Sequence, residues 1–445
     1  MIAHQGDTLI HGEHFPPPYL QPRSHADHLI ELLPALPMLS VISQEGHMYD
    51  AESDVDTAGH EGRRLWPVRR HNVLLTLWAA LWFAVVSPHG GVSWHYVRTG
   101  EQLLFGGVPG GGLALYANHP ELQMGPVSFL TAGLFAPFPP AVGEVLAEAL
   151  MSALGLYMLV LVGRTAADHM LGSGTNHRRL QQRVLIAGLA FVPMWTEVAV
   201  RFGHLDDVLA LFFTTLAVRA LVRHHPIATA LLLALAVDSK PWAVNFLPLL
   251  LVLPRASWRP ALLSLLAVVG AAWLPFYLGD LGSFAAARFT IPNQPASALR
   301  WFGVQAATTP WWDRPAQTGL GLALGTLAVW RGRWPAVVLL GADARILLDP
   351  SVYTYYTAAI LLGTLLWDTL GQRRLVPWWS WTALTCLYGT ALLVHSPSTQ
   401  GLVRLGFVAV SAAFVLLSPN RPARRRTHTA ARRQRRRHAL ATPGG

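Results

Sequence analysis

Residues 205–254 read LDDVLALFFTTLAVRALVRHHPIATALLLALAVDSKPWAVNFLPLLLVLP, in which three apolar runs are separated only by short polar turns. The runs cover approximately 206–222, 226–238 and 241–254. A helix that spans a bilayer needs about 20 predominantly apolar residues, with a range of about 17–25. The first run reaches this length. The other two fall short, and we expect them to form a broken or partly re-entrant pair. The stretch therefore indicates helices in a membrane.

The whole chain has the composition of a polytopic membrane protein. Of its 445 residues, 52% are hydrophobic and 13% are charged, and the mean hydropathy is +0.35. Soluble domains carry about 25% charged residues. A disordered protein, a soluble nucleic-acid binder and a disulfide scaffold are excluded, the last because Cys386 is the only cysteine. We expect an all-α polytopic membrane protein with about twelve transmembrane helices within residues 66–418. The remaining expected spans are approximately 71–87, 141–163, 184–200, 259–279, 316–331, 334–348, 352–370, 377–395 and 401–418.

The arginines of the chain are concentrated in alternate loops. The net charge is +10, and residues 419–445 hold nine arginines and no acid. Positively charged loops favour the cytosolic side of a membrane. We therefore expect a multi-pass protein of the cell membrane with both termini cytosolic: a disordered extension at residues 1–65 and an Arg-rich tail at residues 419–445. We expect these basic residues to contact the lipid bilayer and not nucleic acid. The basic segments that fall on the same side are 63–70, 164–183, 219–223, 255–259, 331–333 and 373–374.

This orientation places two long loops, residues 88–140 and 280–315, on the outer side. The apolar stretch 126–138 must then not cross, because a crossing would put the basic loop 164–183 outside. We expect it to form an interfacial helix. The polar side chains of the first loop are either capping groups of short helices or part of a site. The candidates are His95, Tyr96, His119, Glu121 and Gln123.

A second group of polar residues lies at the turn between two expected spans. Arg201 and His204 precede Asp206 and Asp207, which begin the returning helix. One Asp would satisfy an N-cap. Two acids beside a histidine and an arginine indicate a polar site.

Two basic residues lie inside or at the end of apolar runs, where charge is costly. Lys240 is the only lysine among 34 basic residues. It either pairs with Asp238, or reaches the outer interface, or binds an anionic group such as a phosphate. Arg345 either pairs with Asp343 or binds a phosphate bidentately.

Three motifs, in this order, resemble those of the GT-C superfamily of integral-membrane glycosyltransferases. The most similar branch is the polyprenol-phosphate-mannose-dependent mannosyltransferases of actinobacteria. His119-Pro120-Glu121-Leu122 is similar to the Tyr-Pro-Pro or His-Pro-Pro turn of that family's first outer loop. Gly203-His204-Leu205-Asp206-Asp207 is similar to its Gly-Gln-x-Asp/Asn turn, and Ser239-Lys240-Pro241 to its Lys-Pro motif. The resemblance covers roughly residues 66–280. One departure is that the family's catalytic Asp early in this loop is matched by Ser93, and residues 88–123 contain no Asp.

The resemblance implies a transferase that moves a sugar, mannose in the branch it resembles, from a polyprenyl-phosphate donor to a glycan or lipid acceptor on the extracytoplasmic side. Glu121 or Asp206 would be the catalytic base, and Lys240 or Arg345 would hold the donor phosphate. No metal ligand or cofactor is assigned, although a divalent cation at Asp206 and Asp207 stays open. The alternatives are a transporter or flippase of lipid or solute, and a catalytically inactive relative. The expected substrate-binding residues are His95, Tyr96, His119, Gln123, Arg201, His204, Asp207, Lys240 and Arg345.

Overall fold

The computed structural model describes residues 66–170 and 176–418, so the expected extension and the Arg-rich tail lie outside the described residues. The structure is 80% helical. The described ranges contain no strand, only an isolated bridge between Pro292 and Thr308. The α-helices are α1 Trp66–Val86, α2 Trp94–Phe105, α3 Leu115–Asn118, α4 Pro126–Ala132, α5 Pro140–His169, α6 His177–Thr196, α7 Leu205–Val222, α8 Pro226–Ser239, α9 Arg255–Gly279, α10 Asp313–Trp330, α11 Val337–Leu348, α12 Thr357–Leu366, α13 Trp378–Ala383, α14 Thr390–Leu393 and α15 Pro397–Leu417. The longer 3₁₀ helices are Pro241–Val252, Leu281–Arg288 and Ala298–Phe302, and π-helices cover Glu197–Arg201, Trp367–Gly371 and Leu384–Gly389.

Five helical stretches of the described residues are long and apolar enough to cross a membrane. Their outward faces are apolar too: Leu77 and Leu81 of α1, one turn apart, are 62% and 54% exposed. A soluble protein does not leave such ridges in water. The chain is therefore an all-α membrane protein. The five stretches are Arg70–His89, Pro140–His169, His177–Arg201, Arg255–Gly279 and Pro397–Leu417.

The two short apolar runs of the opening stretch form two different helices joined at a single residue. The first is α8, and Lys240 follows it with extended backbone (φ −146°, ψ 113°). The second is the 3₁₀ helix Pro241–Val252, in which Pro248 has no N–H to donate. A 3₁₀ helix rises about 2.0 Å per residue, so its twelve residues extend about 24 Å. The large rise per residue thus compensates for the small number of residues in this helix.

At one end of the helices, arginine side chains join different chain segments. Arg183 of α6 donates to the carbonyl oxygens of Asp368 (3.3 Å) and Gln372 (2.6 Å), next to the π-helix that follows α12. Arg223 after α7 contacts Asp168 of α5 at 3.2 Å. These arginines therefore tie together the ends of α5, α6, α7 and α12.

The opposite ends of the helices are tied together by the two long loops. The Gly125 N–H and the Ser128 hydroxyl both donate to the carbonyl oxygen of Ser239, at 2.8 and 3.0 Å. The Ser297 hydroxyl donates to the carbonyl oxygen of Asp349 at 2.7 Å. Loop 88–140 thus packs on the end of α8, and loop 280–315 packs on the end of α11.

The apolar stretch expected to lie at the interface forms α4 and a 3₁₀ turn that ends at Phe135. Ten helical residues extend about 15 Å, which is about half of the hydrocarbon thickness. This stretch is therefore too short to cross. The run expected to span 377–395 is also irregular: a π-helix separates α13 from α14.

Candidate functional site

The first turn of α7 is positioned by a tight turn that only glycine fits. Gly203 has φ +63°, and a Cβ there would lie 3.3 Å from the Trp94 Cβ. The Ser93 N–H donates to the carbonyl oxygen of Phe202 at 2.8 Å. The start of the first long loop is thus bonded to the turn that precedes Asp206.

Asp206 lies at the centre of a buried cluster and is 0% exposed. The ammonium of Lys240 forms a salt bridge with its Oδ2. Nδ1 of His204 lies 3.3 Å from its Oδ1. The His204 ring in turn packs against Tyr355, with the ring centroids 4.0 Å apart and the ring planes tilted by 31°. Lys240 therefore pairs with Asp206 and not with its neighbour Asp238, whose carboxylate accepts from Trp273.

Asp207 binds a second set of partners beside the first. The Trp242 Nε1–H donates to its Oδ1 at 2.8 Å, and Nη1 of Arg345 donates to the same oxygen at 3.2 Å. Its Oδ2 has no hydrogen-bond partner among the described residues, and the Lys240 ammonium lies 3.9 Å away. Neither carboxylate serves mainly as a helix cap, because both bind side chains from other segments.

The Arg345 guanidinium is held between two aromatic rings and two carboxylates. It lies 4.3 Å from the Trp242 centroid and 4.2 Å from the Tyr356 centroid. Its Nε lies 3.7 Å from Asp349 Oδ2, and the residue is 6% exposed. Burial raises the pKa of Asp349 above its ordinary value, although Arg345 opposes the shift. Such a guanidinium is rigid and largely desolvated.

The charges of the cluster balance without a metal. His204, Asp206 and Asp207 offer three ligand atoms within 4.8 Å of one another, a spacing that suits a divalent ion. However, Lys240 already pairs with Asp206, and Arg345 already pairs with Asp207. A divalent cation would have to displace the ammonium. The donor set therefore fits a metal poorly.

A second buried network lies next to the first. Glu197 is 2% exposed and accepts from the hydroxyls of Thr354 (2.8 Å) and Tyr388 (3.1 Å). Arg201 contacts the same carboxylate at 3.3 Å, and its own side chain is 43% exposed. The structure thus joins Arg201 to Glu197, and among its described contacts none reaches Asp206 or Asp207.

No protein-family model, no curated protein and no solved structure matches this chain. Its function must be inferred from the chemistry of these residues.

The structure brings together four of the residues predicted from the sequence, His204, Asp207, Lys240 and Arg345, around Asp206. It does not bring Glu121 to them by any contact of the described residues. The predicted residues of the first loop have partners of their own, and one of these partners, Arg314, also interacts with Asp349 beside the cluster. Glu121, 43% exposed in its side chain, contacts His119 at 3.3 Å. The rings of His95 and Tyr96 pack against each other with centroids 4.0 Å apart and planes tilted by 37°. Gln123 accepts from Arg314 at 2.9 Å.

Sequence reasoning does not find Trp242, Arg314 or Arg404 as site residues. A tryptophan and a loop arginine give no distinguishing signal in the sequence, because both residue types are common at membrane boundaries. Arg404 is different, because it falls inside the expected span 401–418 and is 3% exposed. An arginine within an apolar span is a signal of function or of a buried partner.

Proposed function

We propose that this protein is a membrane glycosyltransferase. It moves a sugar, mannose by the family resemblance, from a polyprenyl-phosphate donor to a glycan or lipid acceptor on the extracytoplasmic side. The observation that carries the proposal is the buried network of Asp206, Asp207, Lys240 and Arg345, which lies where α7, α8 and α11 meet the two long loops.

The network has the groups that glycosyl transfer from a lipid phosphate needs. A carboxylate removes the proton of the acceptor hydroxyl as it attacks the anomeric carbon. A fixed cation stabilises the charge that develops on the leaving phosphate. Asp206 is the base candidate inside the network, and Glu121 is the candidate at the exposed edge of the first loop.

The topology that accompanies this function has twelve crossings and both termini in the cytosol of the cell. The crossing segments are α1, α5, α6, α7, α8, the 3₁₀ helix Pro241–Val252, α9, α10, α11, α12, the α13–α14 segment and α15. Alternation then puts Arg183 and Arg223 on the cytosolic side, as the positive-inside rule favours. The network and both long loops fall on the other side, which a lipid-linked donor reaches from the outer leaflet.

A second candidate function, transport of a lipid or solute, is favoured by one observation. Asp343 in α11 is 0% exposed, accepts from Ser411 at 2.7 Å, and has no hydrogen-bond partner for its Oδ1 among the described residues. Buried intramembrane carboxylates mark ion or proton pathways. The main network, however, lies at helix ends, and transporter sites lie near the bilayer midplane.

The test is transfer of labelled sugar from polyprenyl-phosphate mannose in membranes that contain the chain. We expect Glu121→Gln or Asp206→Asn to lower the transfer rate by about 10²–10⁴-fold, because a positioned base contributes that much. The matched control is Asp168→Asn, an exposed carboxylate at the opposite helix ends, with an unchanged rate.

Two results would contradict the proposal in different ways. Wild-type transfer by the double variant Glu121→Gln, Asp206→Asn would show that the base is assigned wrongly. No consumption of any polyprenyl-phosphate sugar by the wild type would reject the transferase, and movement of labelled lipid across vesicles would then establish the transporter.

A further inference from the structure

Three arginines from three different helices converge on one carboxylate and one phenol. Asp349 and Tyr356 each lie close enough to Arg314 of α10, Arg345 of α11 and Arg404 of α15 to interact electrostatically with all three. Asp349 also accepts from the Ser351 N–H at 2.9 Å. Arg345 also has Asp207 and Arg314 also has Asp313, whereas Asp349 is the one carboxylate that interacts with Arg404 among the described residues.

Two of these arginines have hydrogen-bond partners of their own. Arg345 donates to Asp207 at 3.2 Å. Arg314 donates to Gln123 at 2.9 Å and to the carbonyl oxygen of Phe289 at 2.8 Å. Each of the two thus has at least one hydrogen-bond partner in the protein, and each keeps further N–H donors.

Arg404 is the exception. It is 3% exposed, and within residues 66–170 and 176–418 its guanidinium has no hydrogen-bond partner; Asp349 is within electrostatic range only. A guanidinium offers five N–H donors, and burying a charge without hydrogen bonds is costly. Arg333, which follows α10, shows the usual solution at the C-terminal end of α15, where it donates to the carbonyl oxygen of Ser418 at 2.5 Å. The N–H groups of Arg404 therefore have no acceptor among the described residues.

We propose that Arg404, together with Arg345, binds the phosphate group of the lipid-linked donor. Arginine matches phosphate oxygens bidentately, which satisfies several donors at once. Arg345 contacts both Asp207 and Asp349, so the phosphate position and the carboxylate pair share this side chain. The identity of the lipid rests on the proposed function. The inference that Arg404 binds an anion rests on the structure alone.

This assignment moves phosphate recognition away from Lys240. The Lys240 ammonium already has Asp206 as a salt-bridge partner, and Asp207 lies 3.9 Å from it. The one buried guanidinium that lacks hydrogen bonds among the described residues is the better anion receptor.

The experiment measures binding of polyprenyl phosphate and of the matching polyprenol to purified protein in detergent, by native mass spectrometry. The wild type should bind the phosphate at least ten-fold more tightly than the alcohol. Arg404→Gln should weaken phosphate binding at least ten-fold and leave polyprenol binding unchanged. The matched control is Arg288→Gln, an exposed arginine of the loop 280–315, with no change.

Competition with inorganic phosphate shows whether the protein recognises the phosphate group or the lipid chain. Inorganic phosphate should compete with polyprenyl phosphate in the wild type and lose this effect in Arg404→Gln. Competition that is equal in both proteins would place the anion elsewhere and overturn the inference.

Further outcomes are decisive whether or not the glutamine variant folds. Arg404→Lys keeps the charge and should weaken binding about three-fold through loss of the bidentate geometry. Binding by Arg404→Lys or Arg404→Gln within two-fold of the wild type overturns the inference, as does equal binding of phosphate and alcohol by the wild type. The two proposals can also fail separately. If Arg404→Gln loses phosphate binding but the wild type transfers no sugar, the phosphate site is supported and the proposed transferase is rejected.

Discussion

The buried pair of Arg345 and Asp207 should contribute far more to stability than an exposed pair of the same length. Its Nη1–Oδ1 distance is 3.2 Å, and its side chains are 7% and 4% exposed. The Arg223–Asp168 pair at the opposite helix ends also measures 3.2 Å, but its side chains are 40% and 35% exposed. The two pairs therefore differ in burial and not in contact distance.

The expected energies follow from this difference. Removal of one partner of a buried pair costs about 3–5 kcal/mol, because the other charge is left without compensation. An exposed pair contributes about 0.2–1 kcal/mol. Arg345→Met should therefore lower the free energy of unfolding by about 3–5 kcal/mol. The coupling with Asp207→Asn in a double-mutant cycle should be about 2–3 kcal/mol, near the upper end of measured coupling energies.

The assay is unfolding by SDS in mixed micelles, followed by tryptophan fluorescence, for which the chain has 17 tryptophans. The control cycle uses Arg223→Met and Asp168→Asn, with an expected coupling of at most about 1 kcal/mol. If the Arg345–Asp207 coupling is no larger than this control value, burial does not strengthen the pair and the network is not an energetic unit.

Two further predictions concern the loop and the metal. Gly125→Ala places a Cβ 1.8 Å from the carbonyl oxygen of Asp238, so the first long loop must shift. The SDS titration should show that the free energy of unfolding falls by more than about 1 kcal/mol. The control is Gly133→Ala, whose Cβ would meet no atom within 4 Å and which should be neutral or stabilising by about 0.4–1 kcal/mol. Sugar transfer in EDTA should proceed at the untreated rate, because Lys240 and Arg345 already balance both carboxylates; restoration of a lost rate by Mg²⁺ or Mn²⁺ would show that a metal takes part.

The positions of most helices could be read from the sequence because apolar runs and their polar ends are local features. The returning helix at Asp206 starts where the Gly203 turn and the two acids predict, and the structure begins α7 at Leu205. The geometry of the 3₁₀ helix Pro241–Val252 could not be read in this way. It depends on where Pro248 interrupts the hydrogen bonds and on the neighbouring helices that tolerate this.

The ion pairs could not be predicted, because the sequence favours neighbours and the fold selects distant partners. Asp343 and Arg345 lie two positions apart in a helix, and residues at this spacing do not face each other. In the structure Asp343 binds Ser411, and Arg345 binds Asp207, which is 138 positions away. The residue types of the site were thus predictable, and their partners required the packing of α7 and α11 against the 3₁₀ helix Pro241–Val252.

The single lysine of the chain has two backbone roles, which a substitution keeps, and one side-chain role, which a substitution removes. Its N–H donates to the carbonyl oxygen of Ala236 and closes α8, its extended backbone turns the chain into the 3₁₀ helix, and its ammonium neutralises Asp206. A change at Lys240 therefore disturbs a carboxylate that is itself a base candidate, so a loss of transfer would not identify the group that binds phosphate. Arg404 shares none of these contacts. Its substitution removes a cation that no described hydrogen bond requires and leaves Asp349 with Arg345 and Arg314, so Arg404 tests donor binding without removing a partner of Asp206.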